Sequence, residues 1–115
     1  MSSSKSQAFD RELKKGSGEL LILSVIDAQR RHGYDIGKLI EQRSGGALRF
    51  NLASIYPLLS RLEKCGYIKG RWVIEVGRRR RRFYRLTSQG RGALVARRQA
   101  WRVFVAAVNR ITKGQ

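Results

Sequence analysis

The chain has 115 residues, enough for one domain with a modest core, and its apolar content of 42% excludes wholesale disorder. Lysine and arginine number 25 against 8 aspartates and glutamates, a formal charge of +17. One cysteine, Cys65, and one histidine, His32, exclude an intrachain disulfide and the usual Cys/His zinc arrangements.

A chain so charged repels itself, which points to a polyanionic partner. No acid follows Glu75, while residues 76 to 115 hold twelve lysines and arginines. That asymmetry favours nucleic acid. The longest apolar run, Leu20 to Leu23, is far too short to span a bilayer, so no membrane partner is expected. Met1 leads into SSSKSQ with no signal-type apolar segment behind it. The expectation is a soluble, cytoplasmic protein.

In chain order, residues 1–17 are a basic, flexible N-terminus in which Phe9 to Lys15 fits a short helix. Glu19 to Arg30 carries Leu20, Leu21, Leu23, Val25 and Ile26 and is predicted as a mostly buried helix, with Arg30, Arg31 and His32 near its end and Gly33 closing it. Ile36, Leu39 and Ile40 predict an amphipathic helix from Tyr34 to Arg43, stopped by Ser44, Gly45 and Gly46. His32 is expected to serve as a structural or capping group and Tyr34 to pack into this helix pair. From Asn51 to Cys65, Leu52, Ile55, Leu59 and Leu62 form one apolar stripe at helical spacing. Asn51 and Ser54 are the two capping candidates; a Ser54 cap would put Pro57 in the first turn, where its missing amide costs little. Gly66 is a suitable stop, and Cys65 is expected as a small buried filler.

After Gly66 the period changes to two. Trp72, Ile74 and Val76 alternate with Arg71, Val73 and Glu75, as a half-buried strand does, and Phe83 to Leu86 alternates again with Tyr84 and Leu86 on one face. The two strands make a hairpin with Gly77 and five arginines, Arg78 to Arg82, at its tip, and Tyr84 is expected to pin it to the core. Thr87 or Ser88 caps a last helix, whose Leu94, Trp101, Phe104, Val108 and Ile111 are spaced by 7, 3, 4 and 3. The order is that of a mainly α fold with a small β-hairpin: a winged helix-turn-helix over residues 18–87, then a C-terminal helix over 88–115.

Three segments carry a resemblance: HGY at His32 to Tyr34, SIYPLLSRLEKCGYI at Ser54 to Ile68, and RRFYRLTSQG at Arg81 to Gly90. Together they resemble the PadR family of bacterial transcriptional regulators, from about Gly18 to Gly90. The single C-terminal helix is similar to that of the family's small members, in which it builds a homodimer. The resemblance implies a repressor whose hold on its operator is released by a small molecule or a signal. The run of arginines is denser than the family leads one to expect.

The apolar stripe of the third helix fixes the opposite face for DNA. Ser54 and Tyr56 are the base-edge candidates. Lys38, Arg61 and Lys64 are phosphate candidates, with Ser60 at the flank and Arg49 and Asn51 suited to either role. In the wing, Arg78, Arg79, Arg80 and Arg81 are assigned to phosphate or a minor groove, because a planar guanidinium grips phosphate in a fork. The last helix, about 20 residues and about 30 Å long, outreaches this small core. Its stripe of Leu94, Trp101, Phe104 and Val108 is the expected homodimer interface, with Arg97 bending outward at its edge. A dimer presents two reading helices to an inverted repeat in double-stranded DNA. By the resemblance, a planar aromatic effector fits between two Trp101 rings.

The sequence holds no Ser/His/Asp set, no paired carboxylates beside a base and no phosphate loop, so neither an enzyme nor a cofactor or metal site is expected. The competing reading is a basic nucleic-acid-binding protein of nucleoid or RNA type without regulation, which charge alone permits.

Overall fold

The computed structural model describes residues 17–74, 77 and 80–113. The expected helix from Phe9 to Lys15, together with Arg78 and Arg79, lies outside them.

Helix α1 (Gly18–Val25) is apolar nearly all round, and Ile22, Leu23, Val25 and the following Ile26 are buried. A helix of that composition belongs at the centre of a fold. It does not run on to Arg30 as its pattern predicts. Nε of Arg31 donates to the Val25 carbonyl at 2.9 Å, taking the acceptor that a continuing helix would offer to Gln29. The chain then extends: Arg31–His32 forms β1, paired antiparallel with Tyr84 and Phe83.

Gly33, expected to end a helix, instead begins α2 (Gly33–Arg43). His32 is its cap, its Nδ1 accepting from the amide of Asp35 at 3.2 Å. A Cβ at Gly33 would stand 2.9 Å from the Tyr56 ring, so the glycine is what lets that ring lie on the backbone here. Tyr34 points outward and is 60% exposed. It does not pack into the helix pair, because Ile36 and Ile40 already supply the face that α2 buries.

Helix α3 spans Leu52–Lys64, and Asn51 is the cap, its Oδ1 accepting from the Ser54 amide at 3.0 Å. Pro57 therefore sits in the second turn; the amide it lacks would have met the Ala53 carbonyl, on the exposed side of the helix. The buried stripe is Ile55, Leu58, Leu59 and Leu62, with Leu52 at its exposed margin. Cys65 is exposed, one step past the last buried turn, and fills no core space. After it Gly66, at φ +80°, donates to the Glu63 carbonyl while Tyr67 donates to that of Leu62, closing the helix in the paired-bond pattern that favours glycine.

Strands β2 (Ile68–Ile74) and β3 (Arg80–Leu86) form the wing, in sheet order β1-β3-β2. Ile68, Tyr84 and Leu86 enter the core with the three helices. Trp72 and Ile74 share that face but are exposed rather than half-buried, because the hairpin extends past the helices. Arg80, Arg81 and Arg82 pair with Ile74, Val73 and Trp72 inside the strand; they are not at the tip, since the ladder continues beyond the apolar alternation that marks its base.

Helix α4 (Ser88–Thr112) is capped by Thr87, whose Oγ1 accepts from the Gly90 amide at 3.0 Å and donates to the Gly66 carbonyl at 2.6 Å. A Cβ on Gly90 would overlap the Tyr67 carbonyl oxygen at 1.9 Å, so only glycine permits this close crossing. Leu94 is in the core. It is therefore not available to an interface between copies, as its place in the stripe suggested, because the first turns of α4 are spent on covering α1. The 25 residues of α4 reach about 37 Å, and the molecule measures 59 × 36 × 21 Å. Trp101, Val103, Phe104 and Ile111 are exposed.

Candidate nucleic-acid interface

The exposed side of α3 carries Ala53, Tyr56, Pro57, Ser60, Arg61 and Lys64, spaced for one helical face opposite the buried stripe. Asn51 and Ser54 lie at its start and are bonded to each other, the Ser54 hydroxyl donating to Asn51 Oδ1 at 3.3 Å. Beyond the turn, Lys38 stands on α2 with its ammonium 5.9 Å from the centroid of the Tyr34 ring. Arg49 is exposed, with Nε 3.6 Å from Glu41 Oε2. Arg61 is exposed, with its Nε 2.7 Å from Oε2 of Glu19.

Glu19 is the one buried charged residue among those described. Its other carboxylate oxygen accepts from Nη1 of Arg97, so α1 joins α3 to α4 through a single side chain. Arg97, expected to bend outward, is drawn inward by this carboxylate and also lies over the Tyr67 ring.

The wing faces the start of α3 across a cavity of about 530 Å3. From β1, α2 and α3 come His32, Tyr34, Leu52 and Tyr56; from the wing come Trp72, Tyr84, Arg80, Arg81 and Arg82. The guanidinium of Arg80 lies 4.7 Å from the Trp72 ring centroid and that of Arg82 lies 5.5 Å from it. Such stacking holds the cations in place. Nη1 of Arg81 is 2.9 Å from Nε2 of His32. Arg82 also donates to Oε2 of Glu63, which accepts the Gly70 amide at 3.1 Å. Burial pushes the Tyr84 phenol above its usual range, against a smaller opposing pull from Arg82, so it stays neutral at neutral pH.

Sequence reasoning thus placed Tyr56, Ser60, Lys64, Arg80 and Arg81 on elements that meet. It missed Tyr34, Trp72 and Arg82. The Trp72–Arg82 pairing was open to discovery from hairpin register alone, had the strand been extended to Arg80. Arg78 and Arg79 lie outside the described residues. Among the described residues no group of three His, Cys, Asp or Glu side chains is placed to hold a metal, and no helix is long and apolar enough to cross a membrane.

Two short helices, the second presenting a polar face, beside a basic hairpin that closes over its start, define the winged-helix class of fold. Comparisons with known proteins agree. A structure of a transcriptional regulator from Clostridium thermocellum is 27% identical, covering 86% of this chain and 93% of that one with a TM-score of 0.78. A PadR family transcriptional regulator from Eggerthella lenta is 25% identical over 95% and 93% of the two chains, TM-score 0.79. Bacillus subtilis PadR, solved in complex with operator DNA, is 27% identical over 68% of this chain and 44% of that one, TM-score 0.63. The profile of the transcriptional regulator PadR-like family matches residues 22–96. The chain belongs to that family.

Proposed function

We propose that this protein is a sequence-specific DNA-binding repressor that acts as a homodimer in the cytoplasm and is released from its operator by a small molecule. The observation that carries the reading is the convergence of the α3 face and the wing arginines on one cavity, as a helix in a major groove and a hairpin on the adjoining backbone require. The operator-bound B. subtilis relative supports it. In this reading residues 18–87 bind DNA and 88–115 join two copies, with 1–17 as a basic extension. Ser54 and Tyr56 meet base edges. Lys38, Arg49, Ser60 and Lys64 meet the backbone, with Asn51 positioned to contribute its amide nitrogen. Arg78, Arg79, Arg80 and Arg81 supply the wing contacts. Arg61 meets the backbone too, through the part of its guanidinium beyond the Nε that Glu19 holds, its side chain being 56% exposed.

The dimer reading rests on α4. Trp101 and Phe104, with ring centroids 5.7 Å apart, together with Ile111 present an apolar face to solvent, with Val108 between them. A symmetric partner covers such a face. A planar aromatic effector between the two Trp101 rings is the proposed release signal; titration into a Trp72→Phe protein, following Trp101 emission and operator release together, tests it. The central test is selection of bound sites from random DNA at physiological salt. A two-fold symmetric motif is expected, and recovery of no motif defeats the regulator reading.

A further inference from the structure

The wing sheet has a second face, which the operator surface reaches only through His32 and Arg81. Side chains alternate along β2 and β3, and the register sets Lys69 opposite Arg85 and Arg71 opposite Phe83. Their strand neighbours Ile68, Tyr84 and Leu86 are buried against the helices, so Lys69, Arg71 and Arg85 stand on the outer face, and all three are exposed. Arg30 joins them, its guanidinium 5.2 Å from the Phe83 ring centroid.

Like charges directly opposed across two strands weaken the pairing, and nothing within the described residues relieves Lys69 and Arg85. The carboxylates described are Glu19, Asp27, Asp35, Glu41 and Glu63, and each is engaged elsewhere by an arginine: Arg61 and Arg97, Arg98, Arg31, Arg49 and Arg82 in turn. Among the described residues the outer face gathers five cations, Arg30, Lys69, Arg71, Arg85 and Arg81, around Val73 and Phe83 with no acid among them. A duplex seated against Tyr56 and in the cavity meets Trp72, Arg80, Arg82 and Tyr84 on the opposite face and only His32 and Arg81 of this one. Lys69 and Arg85 are moreover at the base of the hairpin, far from its turn at Gly77.

We infer that the outer face of the wing is a second DNA-binding surface, which holds the phosphate backbone of a separate duplex segment, so that the protein joins two duplexes. The proposed operator function enters only as the account of the first duplex. Contacts here are to phosphate, so the second duplex is held without sequence preference and loosely at high salt.

The test uses the full chain, an immobilised duplex carrying the selected motif, and a free labelled duplex without it. Lys69→Glu and the double variant Lys69→Glu, Arg71→Glu are compared with wild type. Lys69→Glu makes an opposite-charge pair with Arg85, so its melting temperature stays level or rises, and loss of folding does not explain its behaviour. Retention on the first duplex is expected to stay within about threefold while capture of the second falls about tenfold or more. Capture that survives the substitutions overturns the inference, since the two operator surfaces of a dimer would then be holding both duplexes. Wild type retained on the first duplex without capturing the second overturns it too and leaves the operator reading intact. Retention on neither defeats both.

Discussion

Oε2 of Glu63 lies 2.7 Å from Nη2 of Arg82, and through this contact helix α3 holds strand β3 of the wing. The same oxygen accepts the Gly70 amide from β2, so one carboxylate fixes both strands relative to the helix. Both side chains are about one-third exposed, and solvent screening limits the ion pair to about 1 kcal/mol, with the amide bond adding about 1 more. Glu63→Ala is expected to lower the thermal midpoint by about 8 to 10 °C. Glu63→Gln, which keeps an acceptor for Gly70, is expected to lose about half of that. Calorimetry of the two variants checks it; equal midpoints for wild type and Glu63→Ala would show that the contact does not hold the wing.

The start of α3 depends on Asn51 rather than Ser54. Asn51→Ala removes the side-chain acceptor for the Ser54 amide and is expected to cost about 1 kcal/mol, read as a lower urea midpoint at unchanged slope. Ser54→Ala removes only the hydroxyl that donates to Asn51, and its cost is expected to be a few tenths of that, or about 0.3 kcal/mol. The reverse order would mean that the helix begins one turn later in solution.

Arg80 and Arg81 lie on opposite faces of β3 yet both line the cavity beside α3. Replacing both by alanine is expected to flatten the log–log salt dependence of operator binding by about 1 to 2 units, one for each phosphate contact removed. Fluorescence anisotropy across a salt series measures this. An unchanged slope would place the backbone contacts elsewhere on the wing.

Phe104 is exposed on α4 beside Trp101. Phe104→Arg buries a charge if two copies meet along this helix, and is expected to shift sedimentation from dimer to monomer with the fold unchanged by circular dichroism. Affinity for a single half-site is expected to persist while affinity for the inverted repeat falls. A dimer that tolerates the arginine would assign another surface to assembly.

Much of this fold was legible because its signals are local. Ile36 and Ile40 mark α2, the apolar stripe and Gly66 bound α3, and the alternation from Tyr84 to Leu86 marks the base of β3. What escaped depends on partners distant in sequence. A strand as short as Arg31–His32 has no periodicity of its own and exists only because β3 lies alongside it. The Val25 carbonyl that ends α1 is taken by a side chain further along the chain. Arg61 and Arg97 look like surface cations on a helical wheel, and only the packing of α1 between them reveals the carboxylate that claims both. Tyr34 and Trp72 fit a hydrophobic pattern, but at the margins of a small core an aromatic residue is as readily left facing outward, and here both border the cavity.

Glu19 sits at the foot of α1 with an arginine of α3 on one oxygen and an arginine of α4 on the other. In an assembly joined along α4, that triad is an elbow locked at a set angle, and the separation of the two outstretched arms is measured by it. If two copies do join there, a caliper set inside the core takes part in setting the gap they span, and Glu19→Gln is expected to change which spacing of an inverted repeat binds best, as a series of repeats of graded spacing would measure.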